Sequence, residues 1–171
     1  MTEIETTSAV ALTHRLADEG DRTVPVGEID IIELLFFAYR DFTSDPDAIL
    51  GELEFGRAHH RVLHFVNRRP GLTVAELLDV LQITKQSLAR VLKQLIDGGY
   101  IEQRQGPRDR RQRELHPTDE GMALAAALAR PQSRRIAAAL EESGSDRAAV
   151  IAFLRSMVNP ELRAQIAGGE N

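Results

Sequence analysis

Cysteine is absent from this sequence of 171 residues. That excludes disulfides, thiolate zinc sites and sensing through a thiol. Long apolar runs are missing too. None approaches the ~18–20 residues that cross a bilayer, so no membrane partner is expected. The opening MTEIETTSAV lacks the basic stretch and apolar run of a signal peptide, which makes the cytoplasm the default location. No glycine-rich phosphate loop, GxSxG elbow or catalytic carboxylate pair occurs, so an enzyme is not expected. Repeats and low-complexity segments do not stand out.

What is present is an ordinary globular composition, 43% hydrophobic and 27% charged. The charge is unevenly placed. The chain carries −5 overall, yet residues 84–113 hold eight basic and three acidic side chains, +5, which leaves −10 for the remainder. Within that segment Arg104 to Arg113 read RQGPRDRRQR, half of them arginine. A concentrated basic segment on an acidic body suits a polyanion, although an arginine-rich turn by itself also reads as a solvated loop.

Residues 1–26 are polar and read as a flexible N-terminal arm. Ile29, Ile32, Leu35, Phe36, Tyr39 and Phe42 then recur at helical spacing. That helix is expected to stop near Thr43, because Asp45 precedes a proline. Asp41, Asp45 and Asp47 would then lie around a loop that ends the helix. A second helical pattern runs through LEFGRAHHRVLHFVNRR. It places His60 and His64 four apart on one face, with His59 pointing elsewhere. This spacing can hold a metal, but no HExxH pattern or cysteine supports it, and a structural or partner-facing role is the stronger reading. No metal or cofactor is expected.

The segment from Leu72 to Gln103 is the most informative. Thr73 and Glu76 have the spacing of a capping box, and Leu77, Leu78 and Leu81 give a short helix its buried side. Gln82 and Ile83 make a tight connection. Thr84 can cap a second helix, in which Leu88, Val91, Leu92, Leu95 and Ile96 form an apolar stripe. Gly98 and Gly99 close it. The opposite face holds Lys85, Gln86, Ser87, Ala89, Arg90 and Lys93. Gln and Arg can read base edges, while Lys and Ser can hold phosphates. IEQRQ and RQREL then flank GPRD as a hairpin whose tip carries Arg108, Asp109, Arg110 and Arg111. A helix-turn-helix followed by a basic hairpin is a winged helix, and a guanidinium on the wing suits a narrow minor groove.

Beyond Thr118, a potential cap, MALAAALA is helical, Pro131 should kink or break the run, and Gly144-Ser145 interrupts it. A last amphipathic helix, DRAAVIAFLRSMV, ends at Asn159-Pro160, and AQIAGGEN reads as a frayed tail.

GRAHHRVLHFV, LTVAELLDVLQITKQSLARVLKQLIDGGYIEQ and GPRDRRQREL…TDEG together resemble the multiple-antibiotic-resistance regulator (MarR) family of winged-helix transcription factors. The resemblance covers about residues 29–160 and is most specific from Thr73 to Gly121. It implies a mainly α fold. A winged helix-turn-helix core at about 55–117 joins dimerisation helices at about 28–44 and 118–160, within one domain of residues 27–171. It also implies a homodimer on double-stranded, pseudo-palindromic DNA, with recognition helices about 34 Å apart. The implied DNA-binding set is Thr84, Lys85, Gln86, Ser87, Arg90, Lys93, Arg108, Asp109, Arg110, Arg111 and Arg113. Arg111 would be the minor-groove arginine of an Asp-x-Arg wing, and Asp109 would orient it or cap the turn. A small, aromatic or phenolic effector would release a repressor from its operator. It would bind among Phe36, Tyr39, Arg40, His60 and His64, of which Phe36 and Tyr39 also read as ordinary core. Pro117-Thr118 departs from the family's Leu-Thr at this point. The alternative function is a winged helix used for protein contacts alone.

Overall fold

The computed structural model describes residues 25–106 and 112–167, without the side chains of residues 26 and 164–167. The chain divides into two compact units, residues 1–41 and 42–171. The N-terminal arm and the wing tip with Arg108, Asp109, Arg110 and Arg111 lie outside the described residues.

The elements are α1 (Val26–Gly51), α2 (Arg57–Arg68), β1 (Leu72–Thr73), α3 (Val74–Leu81), α4 (Lys85–Asp97), β2 (Ile101–Gln105), β3 (Arg113–Pro117), α5 (Asp119–Ser143), α6 (Arg147–Met157) and α7 (Pro160–Ala167). The strands form an antiparallel sheet in the order β1-β3-β2. Leu72 sits opposite Leu115, and Gln105 opposite Arg113. This is a winged helix, and the mainly α reading stands.

One apolar core ties it together. It joins Leu50 of α1, Val62, Leu63 and Val66 of α2, and Leu77 and Leu81 of α3. Leu88, Val91, Leu92 and Leu95 of α4 complete it with Ile101, Leu115 and Leu128. The helix starts follow the expected chemistry. Thr73 Oγ1 accepts the Glu76 N–H at 3.3 Å, and Glu76 Oε2 accepts the Thr73 N–H at 2.8 Å. The hydrogen bond from the Thr73 hydroxyl, then that from its backbone N–H, holds the Glu76 carboxyl below its usual range.

Two expectations are corrected and two are narrowed. First, α1 does not stop near Thr43; it runs through Pro46 to Gly51. Pro46 cannot donate to the Phe42 carbonyl one turn back. Gln132 of α5 does so instead, its Nε2 lying 3.3 Å from that oxygen. Second, the aspartates form no loop. Asp41 pairs with Arg40, Asp45 with Arg135 and Asp47 with Arg57, at 2.8, 3.2 and 2.8 Å. Third, of the kink or break expected at Pro131, the break does not occur, since α5 continues to Ser143. Fourth, of the tail AQIAGGEN, residues 164–167 are helical rather than frayed, as the end of α7, and residues 168–171 lie outside the described residues. Arg163 Nη2 donates to the carbonyls of Ser156 and Val158, both at 2.9 Å, and so anchors α7 on the end of α6.

Candidate nucleic-acid interface

α4 is fixed from one side only. Leu88, Val91, Leu92 and Leu95 are buried, whereas Lys85, Gln86, Ser87, Ala89, Arg90 and Lys93 are exposed. At 100° per residue, Gln86, Arg90 and Lys93 fall on one strip, with Ser87 on its flank. Thr84 works as the cap. Its Oγ1 accepts the Ser87 N–H at 3.1 Å, and its hydroxyl donates to Ser87 Oγ at 2.9 Å. Lys93 is not a bare cation, because its Nζ lies 2.5 Å from Asp97 Oδ2. The strip therefore carries Arg90, which has no ion-pair partner among the described residues, next to a lysine that shares an exposed ion pair with Asp97.

The turn before α4 and the far end of α4 are both held. At the turn, Gln82 adopts a left-handed φ of 51°. Arg61 Nη2 of α2 donates to the Leu81 carbonyl at 2.7 Å, supplying the partner that a helix end lacks. At the far end, the Thr118 hydroxyl donates to the Gly99 carbonyl at 2.6 Å and accepts the Gly121 N–H at 3.0 Å. One hydroxyl thus joins the end of α4 to the start of α5. Gly121 packs so closely that a Cβ there would lie 1.9 Å from the Tyr100 carbonyl oxygen.

The wing strands leave this root together. Arg113 is exposed at the outer end of β3, and Arg104 of β2 pairs with Glu102. Of the wing arginines in the expected DNA-binding set, Arg113 is the one the structure describes.

Sequence reasoning missed one connection to α4. His59 of α2 is buried, stacks on Phe55 with ring centroids 4.4 Å apart, and lies 3.0 Å through Nε2 from Gln94 Oε1. Nothing in the spacing of a lone histidine points to a glutamine 35 residues away.

His60 and His64 line a cavity of about 290 Å³ between α2 and α5, together with Asn67, Arg68, Met122 and three alanines. Burial holds His60 below the ordinary histidine range, His64 adds to this, and Asp47 opposes it. Partial removal from water, with the charge of Arg68, does the same to His64. Phe36, Tyr39 and Arg40 belong to the other unit. They are exposed, and Arg40 lies over the Phe37 ring at 5.1 Å.

Fold and exposed face together define a winged helix-turn-helix protein. The MarR family profile matches residues 54–112. The HTH-type transcriptional regulator PetP of Rhodobacter capsulatus is 51% identical over 135 residues, covering 77% of this chain and 80% of PetP. A putative MarR family regulator from Listeria monocytogenes, solved with a 26mer DNA, superposes with a TM-score of 0.60 at 21% identity, over 85% of this chain and 91% of that one. Streptococcus pneumoniae FabT in complex with DNA gives 0.58 at 19% identity, over 76% and 92%. The chain belongs to the MarR family and is a transcriptional regulator rather than an enzyme. Among the described residues no helix is long and apolar enough to cross a membrane.

Proposed function

We propose that the chain acts in the cytoplasm as a homodimeric repressor that binds a pseudo-palindromic operator and releases it when a small aromatic or phenolic ligand binds. One observation carries the DNA reading: α4 locks its apolar side in the core and leaves Lys85, Gln86, Ser87, Arg90 and Lys93 on the outside. Thr84 sets the start of that helix. Two similar folds, from Listeria monocytogenes and Streptococcus pneumoniae, were solved with DNA, which supports the same partner here.

In this reading Gln86, Ser87 and Arg90 contact base edges in the major groove. Lys85 and Lys93 grip phosphates. Arg108, Arg110, Arg111 and Arg113 hold the wing in the minor groove or on phosphates, with Asp109 orienting Arg111. The exposed apolar residues of α6 support the dimer. The effector set takes in His60 and His64, which the cavity beside them supports, and, in the first unit, Phe36, Tyr39 and Arg40. The effector acts only through its different affinities for the free and DNA-bound states.

The test is fluorescence anisotropy of the purified protein on the DNA flanking its own coding region, over a salt series, with a scrambled duplex as control. Tight, sequence-dependent binding with a steep salt slope is expected. Absence of binding even at low salt would overturn the proposal in favour of protein contacts.

A further inference from the structure

The His59–Gln94 hydrogen bond decides which end of an exposed glutamine faces outward. A backbone N–H can only donate. The backbone N–H of Gly56 lies 3.1 Å from His59 Nδ1, so Nδ1 must accept. This is half of a capping box, with histidine in the place usually taken by Glu or Gln. An accepting Nδ1 carries no proton, so the proton of the neutral ring sits on Nε2. Nε2 therefore donates, and the Gln94 atom 3.0 Å away must be the carbonyl oxygen. The hydrogen-bond network thus settles the amide orientation.

Gln94 is exposed, and its oxygen is engaged. Its NH2 group has no protein partner among the described residues. It also stands on the recognition helix, seven residues and nearly two turns beyond Ser87, on the same flank of the polar strip. From these observations we infer that Gln94 is a DNA-backbone contact, donating its amide N–H to a phosphate oxygen, and that His59 is the positioning residue that keeps the donor outward. The inference rests on the DNA-binding reading above and adds a residue to its interface. The stack of His59 on Phe55, and the edge contact of Phe55 with Tyr100 at 5.6 Å between centroids, hold the imidazole in place.

The experiment uses the full chain and the same two duplexes, flanking and scrambled. Gln94→Ala should weaken binding to both by about tenfold, the size of one hydrogen bond to a charged group. A neutral amide displaces no cation, so the slope of log affinity against log salt should stay unchanged. His59→Gln retains a side chain able to accept the Gly56 N–H but cannot also reach Gln94. It should give a smaller loss by itself and none in a Gln94→Ala background. Unchanged affinity of Gln94→Ala beside a wild type that binds would overturn the inference and leave the DNA reading standing. A lower salt slope would overturn it as well, since that marks a displaced helix that loses cationic contacts. A wild type that binds neither duplex would remove the DNA reading and this inference together.

Discussion

Helices α4 and α6 are of similar length, 13 and 11 residues, and each starts on a side chain that accepts the N–H three residues on. Thr84 takes it from Ser87 at 3.1 Å and Asp146 from Ala149 at 2.8 Å. Both have an apolar side. In α4 that side is buried, at Leu88, Val91, Leu92 and Leu95. In α6 no residue is buried, and Ile151, Phe153, Leu154 and Met157 stay about half exposed. An amphipathic helix with its apolar side already covered offers its polar side to a partner. One whose apolar side is uncovered offers that side instead. The same construction therefore serves two different surfaces.

The strongest way to break this comparison is on α6. Replacing Phe153 and Leu154 together by glutamate should weaken the proposed dimer by about three orders of magnitude or more, since each apolar side chain contributes about 1.5–3 kcal/mol on burial and counts twice across a two-fold axis. Sedimentation velocity at micromolar concentration reads the result. An unchanged dimer would place the association surface elsewhere.

Next in size is the junction between α4 and α5. Gly121→Ala sets a methyl against the Tyr100 carbonyl and should destabilise the fold by about 1–3 kcal/mol, measured from the urea midpoint at constant slope. A midpoint equal to that of wild type would show that this packing yields without cost.

The two caps sharpen the contrast directly. Thr84→Ala and Asp146→Ala should each cost about 1 kcal/mol of local stability. The first should appear in DNA affinity and the second in the dimer dissociation constant. Equal effects of both variants on both measurements would erase the distinction between the helices.

The smallest expected effect lies in the cavity beside α2. His60 and His64 both titrate below the ordinary histidine range. As pH falls through that range, the unfolded chain takes up protons first. Stability is therefore full above the unfolded-state value near 6.5 and declines as pH drops toward the folded-state values. Denaturation midpoints at pH 7.5 and 5.5 should differ, and the double substitution to glutamine should reduce the difference. A wild type indifferent to pH across this window would contradict the assignment.

The sequence made some parts legible and not others, for a physical reason. The α3–α4 turn, the Thr73 capping box, the Thr84 and Thr118 caps and the paired wing strands are local. Each is specified by residues a few positions apart, and each appears in the structure. The passage of α1 through Pro46 was not legible, because the missing donor is replaced by Gln132, 90 residues away. The pairing of Asp45 with Arg135 spans the same separation. The His59–Gln94 bond was hidden in the same way. Periodicity and capping describe a helix from its own residues; they cannot show what a distant side chain supplies to it.

The Thr118 hydroxyl has a mechanical consequence. It clamps the root of the wing, where the end of α4 meets the start of α5, while the paired strands extend away from it. Five residues of strand reach about 17 Å. The wing is thus a lever with its fulcrum at the start of α5. A tilt of about 5° at that point carries the outer end of the strands about 1.5 Å along their arc. Hydrogen bonds to a phosphate do not tolerate an error of that size. On the proposed DNA reading, a change of angle at Thr118 releases the wing from its groove with every helix intact.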